Sequence, residues 1–283
     1  MSFALALLAA QVGALNTPGA APPLPHQRDN APLRPPRKPA AVAPTASAEI
    51  RACPETDDAE AAMEGAEAWL AKARGRERAN AGECLGVALS RLESWEEAGE
   101  AFRAARAAAD TPIWRARLGA MAGEASLNGG DAQAALDALD AAANDVGGDT
   151  AMTGGIALYR ARALVALKRD GEAEAPLAQA RAALPEDATA WLLSATLSRR
   201  LDKLAEAQAQ IERAAALRPI DPAIGLEAGV IAVLAGRDEA ARKSWQSVLA
   251  AAPDSAEAAT AKGYLAQLAP GKPTPKPTEQ PSR

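Results

Sequence analysis

The stretch that decides the fold is PEDATAWLLSATLSRRLDKLAEAQAQIERAAALRPIDP, Pro185–Pro222. It holds two helical patterns, one short turn, and a proline that closes the second pattern. Trp191, Ala195 and Ser198 fall on one helical face, and Ala207, Ile211 and Ala214 fall on another. Asp187 can cap the first helix by accepting from its free N–H groups. Leu201–Lys203 makes the turn. Pro219 stops the second helix, because the residue before a proline is pushed out of the α region.

Working outward, the pattern recurs. Pro185, Pro219 and Pro253 stand 34 residues apart, as do Ala173, Ala207 and Ala241. Leu177, Ile211 and Trp245 keep the same step, and so do Asp187, Asp221 and Ser255. Several columns with one period mean that one supersecondary unit is stacked. In the next unit Pro222 takes the first helical position, where a missing N–H costs nothing. Upstream, Ala98, Phe102 and Ala105 repeat the second-helix pattern, and Ala135, Leu139 and Ala142 repeat it again. Steps there are 37 and 38 residues. The extra residues are expected in inter-unit loops, near 110–114 and 147–153.

Bulk composition agrees. The chain has 283 residues, 48% of them hydrophobic and only 3% aromatic, and alanine dominates the apolar fraction. Small side chains suit closely packed helices, and no strand pattern is present. A formal charge of −5 without a dense basic stripe excludes an ordinary nucleic-acid surface. No run of 18 apolar residues spans a membrane. The chain has one histidine, His26, and two cysteines. It carries no phosphate loop, no nucleophile elbow and no zinc-protease helix. No catalytic residue, metal or cofactor is therefore expected.

Residues 1–15 read as a secretory signal, although no Lys or Arg precedes the apolar run. Residues 16–54 are Pro-rich and basic, an extended linker. Residues 55–269 form the array, with units at 79–115, 116–153, 154–187, 188–221 and 222–255 between terminal helices. Residues 270–283 make a Pro-rich tail expected to be disordered. The expected location is the periplasm or cell envelope, with a cytoplasmic protein as the alternative. Cys53 and Cys84 are either bridged, as an oxidising compartment would favour, or two free thiols.

These residues resemble the tetratricopeptide repeat. Trp191 takes its Trp place and Gly229 its Gly place. Ala173, Ala207 and Ala241 take the second-helix Ala, and Pro185, Pro219 and Pro253 the closing Pro. The resemblance implies an all-α solenoid of stacked helix hairpins in a right-handed superhelix. First helices would line a concave groove for another protein or peptide. Projected onto that groove are Asn80, Glu83, Arg91, Arg117, Glu124, Asn128, Tyr159, Arg162, Arg199, Arg200 and Glu227. Its arginines would either hold carboxylates or form a solvated surface. The Lys and Asn set with which some members of this family clamp a terminal carboxylate is not found. The expected role is a non-catalytic interaction scaffold. The alternative is an assembly factor for envelope machinery such as cytochrome maturation or outer-membrane biogenesis.

Overall fold

The computed structural model describes Cys53 and residues 56–268, within the unit Ile50–Arg283. Segment 1–15, the linker except for Cys53, and the tail 270–283 lie outside the described residues.

Among the described residues twelve helices follow one another without a strand. They are α1 Ala59–Leu70, α2 Gly75–Arg91, α3 Trp95–Ala108, α4 Pro112–Asn128, α5 Ala132–Asp145, α6 Thr150–Ala166, α7 Asp170–Ala183, α8 Ala188–Arg200, α9 Leu204–Leu217, α10 Pro222–Leu234, α11 Asp238–Ala251 and α12 Ala256–Gln267. Helices α2 to α11 make five hairpins, with α1 packed on the first and α12 on the last. The result is an α-solenoid.

Local chemistry sets the boundaries. Asp187 accepts from the Thr189 N–H at 2.8 Å, Asp221 from those of Ala223 and Ile224, and Ser255 from that of Ala258 at 3.0 Å. Asp58, Asp131 and Asp149 cap in the same way. Each hairpin then turns through three residues with the middle one at positive φ: Glu93, Gly130, Lys168, Asp202 and Gly236. In every turn the third residue donates its N–H back to a carbonyl five residues earlier, as Arg169 does to Leu164 at 2.8 Å. That bond satisfies a carbonyl the helix end leaves open. Only Gly130 and Gly236 adopt this conformation without a Cβ penalty.

The expectation about the longer steps is corrected here. All five second helices have 14 residues, whereas first helices have 17 in the first three hairpins and 13 in the last two. The extra residues are therefore not loop. They add one turn to the N-terminal ends of α4 and α6, which begin at Pro112 and Thr150.

Each hairpin is held by one crossing. A small residue on the first helix meets a bulky one on the second: Gly86 with Phe102, Gly123 with Leu139 and Gly229 with Trp245. A Cβ on Gly229 would lie 2.0 Å from Trp245 Nε1, and one on Gly123 would lie 2.4 Å from Leu139 Cγ. The register continues through Ala161 opposite Leu177 and Ala195 opposite Ile211, and all ten residues are buried. Ala98, Ala135, Ala173, Ala207 and Ala241, one turn before the bulky residues, are 0% exposed. No side chain larger than a methyl fits between helices at that separation.

At the N-terminal end Cys53 and Cys84 are joined by a disulfide with their Cα atoms 5.3 Å apart. Arg91 adds two hydrogen bonds from its guanidinium, to the carbonyls of Thr56 at 2.8 Å and Asp57 at 2.7 Å. These links tie the entry to α1 onto α2.

Four outcomes follow. Gly229→Ala overpacks the crossing and should cost about 1–3 kcal/mol in urea unfolding. Gly263→Ala, at the same register on α12 with nothing within 4 Å of the new Cβ, should be neutral or gain up to about 1 kcal/mol; equal losses at both sites would contradict the crossing. Lys168→Gly relieves a positive-φ residue and should raise the melting temperature by about 1–3 °C. Unreduced protein should take up no thiol label on Cys53 or Cys84, and reduced protein two, read by mass.

Candidate functional site

First helices of neighbouring hairpins touch at α4–α6 and α8–α10, and α10 touches α12, while second helices keep further apart. The first helices therefore occupy the compressed side of the stack. Their exposed positions are the ones a partner could reach.

Most residues expected on this face are already engaged with the next hairpin. Asn80 and Glu83 do not line an open surface, because both are buried, at 5% and 9% exposure. Glu83 accepts from Trp114 Nε1 and from Arg117 Nη2, each at 2.8 Å. The cause is the indole, which brings its N–H into the α2–α4 interface and needs an acceptor there. Arg91 is spent on the Thr56 and Asp57 carbonyls. Glu124 accepts from the Tyr159 hydroxyl at 2.6 Å. Burial, and then that bond to a carboxylate, push the Tyr159 phenol up to about 12. Arg199 pairs with Glu227 at 2.6 Å and Arg200 with Asp170 at 2.8 Å. Asn128 is exposed at the α2–α4 boundary.

Arg162 differs. It is exposed, its guanidinium lies 5.3 Å from the Tyr159 ring centroid, and among the described residues no carboxylate pairs with it.

Polar bridges cross three boundaries of this face: Glu83–Arg117 at α2–α4, the Tyr159 hydroxyl to Glu124 at α4–α6, and Arg199–Glu227 at α8–α10. Clefts open at every second boundary, α2–α4, α6–α8 and α10–α12, of about 340, 270 and 390 Å³. The three are equivalent in register. Val87, Ser90 and Arg91 wall the first, Arg162, Val165 and Ala166 the second, and Val230, Val233 and Leu234 the third. One face thus carries a repeat of two hairpins on top of the repeat of one.

The middle cleft has the most contrasted chemistry. Val165, Leu177, Leu193 and Leu197 make it apolar, and Arg162 and Arg200 stand among its walls. Sequence projection found both arginines but missed Leu193, Thr196 and Leu197. The available signal was the register itself, since the 34-residue step from Arg162 lands on Thr196. A further cation was missed behind α8. Arg181 of α7 is partly buried, donates to the Ser194 hydroxyl and lies 5.4 Å from the Trp191 ring centroid. Burial lowers its pKa.

Among the described residues no group of three His, Cys, Asp or Glu side chains could hold a metal ion. None of the described helices is long and apolar enough to cross a membrane.

No protein-family model matches the chain, and no curated protein matches it. Solved structures do. A fragment of MamA from Desulfovibrio magneticus RS-1 aligns with a TM-score of 0.55 at 20% identity, covering 62% of this chain and 97% of that one. YrrB, described as a TPR protein with an unusual peptide-binding site, aligns at 0.53 and 20% identity, covering 73% and 100%. PilF of Pseudomonas aeruginosa aligns at 0.55 and 15% identity, covering 73% and 97%. With five hairpins, a Gly or Ala crossing in each, and these likenesses, the chain has the tetratricopeptide-repeat fold.

Proposed function

We propose that this protein is an interaction scaffold whose first-helix face receives a segment of another protein, and we assign no reaction to it. The observation that carries the reading is the α6–α8 cleft. There an apolar slot lies beside Arg162, a guanidinium that the array itself does not neutralise. Such a slot favours a segment that places an apolar side chain next to a carboxylate. Burial of the first supplies affinity, and a charge-assisted hydrogen bond to the second fixes register. A preformed cleft on packed helices costs the scaffold little ordering on binding. The paired arginines would serve less well, because recruiting Arg199 or Arg200 would first strip Glu227 or Asp170 of its partner.

The compartment is part of the same proposal. The Cys53–Cys84 disulfide suits an oxidising environment such as the periplasm or the cell envelope, and disulfides are rare in the cytosol. Service as an assembly factor for envelope machinery would be one use of such a scaffold there.

The test is capture by crosslinking from a native envelope fraction. Arg162→Glu should reduce recovery of the captured protein at least about tenfold, the worth of one charge-assisted hydrogen bond. Because Arg162 is exposed, the melting temperature should move by no more than about 2 °C. Recovery unchanged by the reversal would sink the reading.

A further inference from the structure

The twelfth residue of a second helix is arginine twice, two hairpins apart. Arg106 holds that place in α3 and Arg181 in α7. Both reach toward the following hairpin, and there their surroundings diverge. Arg106 lies against Gly119, where an added Cβ would stand 3.3 Å from its Nε. It donates to the Asp145 carboxylate at 2.6 Å and to the Ala141 carbonyl at 3.1 Å. Asp145 is the last residue of α5, and Ala141 stands four before it. In α9 the last residue is Leu217, and Arg213 stands four before it. Arg181 therefore meets a hairpin that lacks this carboxylate and carries a cation instead.

Gly119 stands four residues before the crossing residue of its hairpin, and Trp191 stands four before Ala195. The indole takes the space that Gly119 leaves open to Arg106. The Arg181 guanidinium lies 5.4 Å from the Trp191 ring centroid, and its Nη1 donates to the buried Ser194 hydroxyl. One face and one nitrogen are thus fixed by the array. The opposite edge is not. Nε and Nη2 make no hydrogen bond among the described residues, and neither is buried, so both open to solvent. No described carboxylate pairs with Arg181, and Glu206 attracts it only at longer range. A stacked guanidinium with a free Nε–Nη2 edge is preorganised for bidentate contact with a carboxylate.

The charge beside it has the same sign. Trp191 Nε1 donates to the Pro185 carbonyl at 2.9 Å, and Arg213 reaches that carbonyl at 3.5 Å. Arg213 pairs with Glu186 at 2.6 Å, but the two side chains are 41% and 75% exposed. Such a pair yields to another carboxylate at little cost.

We propose that Arg181 is the receptor for an Asp or Glu side chain of an acidic peptide segment from another protein. That carboxylate takes the place which Asp145 holds against Arg106, and Arg213 is the second cation beside it. The internal counterpart decides the ligand class, because the same position of the repeat already binds a carboxylate two hairpins away. The site is separate from the α6–α8 cleft, whose α8 wall is Leu193, Thr196, Leu197 and Arg200. The proposal does not rest on the reading of that cleft.

The experiment measures fluorescence anisotropy of a labelled, capped hexaglutamate with the full chain at low salt, where surface charge is least screened. Hexaglutamine is the control. The chain should bind hexaglutamate and not hexaglutamine. Arg181→Gln should weaken binding about fivefold or more, as a charge-assisted contact is lost. Arg162→Gln, in the other cleft, should leave it within about twofold, since distant sites act independently. Leu217→Asp supplies the missing carboxylate from within and should block the site as strongly as Arg181→Gln. Leu217→Asn loses the same packing without the charge and should not. These two variants decide the matter even where Arg181→Gln does not fold. Hexaglutamate that fails to bind, that binds no better than hexaglutamine, or whose affinity ignores Arg181→Gln or Leu217→Asp would overturn the proposal.

Discussion

The structure depends on one steric constraint, repeated five times. A second helix can bring Phe102, Leu139, Leu177, Ile211 or Trp245 across its partner only where the first helix offers Gly or Ala. Where the crossing residue is largest, at Trp245, the opposing residue is glycine and the indole also donates to the Leu226 carbonyl at 3.1 Å. Both hairpin geometry and the alanine columns follow from that approach. Larger side chains elsewhere on the helices could change without altering how the hairpin closes. Neighbouring hairpins then stack because each leaves an apolar face that cannot be buried alone.

This constraint is also why so much of the fold was legible. Gly and Ala at the crossing, the bulky residue opposite and the closing proline all recur at one step, and the caps Asp187, Asp221 and Ser255 recur with them. What was not legible had a physical cause in each case. An extra helical turn and a longer loop add residues in the same way, so steps of 37 and 38 did not reveal that α4 and α6 gain a turn at their N-termini. The hairpin turns look unlike one another in sequence, as Glu93, Lys168 and Asp202 stand where Gly130 and Gly236 do. The backbone bond closing each turn tolerates a side chain at moderate cost, so the residue type is weakly determined.

The face was legible as a set of positions but not as a set of free groups. Projection says where a side chain emerges. It does not say whether a residue some thirty positions away will meet it. Glu83 meets Arg117 and Trp114, Arg199 meets Glu227, and Arg200 meets Asp170, all across hairpin boundaries. Partly exposed pairs of this kind add little stability individually. Their larger consequence is specificity of surface. By neutralising one another they withdraw most of the charge that composition alone would have offered to a partner, and leave Arg162 as the conspicuous cation.

The recesses at every second boundary carry that logic further. A bridge across a boundary does not by itself fill it: Glu83 joins α2 to α4 one turn before the crossing at Gly86, while the recess beside Val87 and Arg91 lies after it. Likewise α10 touches α12, and a recess still opens beside Val230 and Leu234. Contact that sets helix spacing and space for a partner are therefore supplied by different turns of the same helices. The three clefts then differ in what lines them: aromatic and polar at Trp95, Phe102 and Asn128, aliphatic beside arginine at Arg162, aromatic and aliphatic at Tyr264. A ligand that touches more than one of them must carry the matching chemistry two hairpins apart. Shape alone does not impose that requirement on it; the order of side chains along the face does.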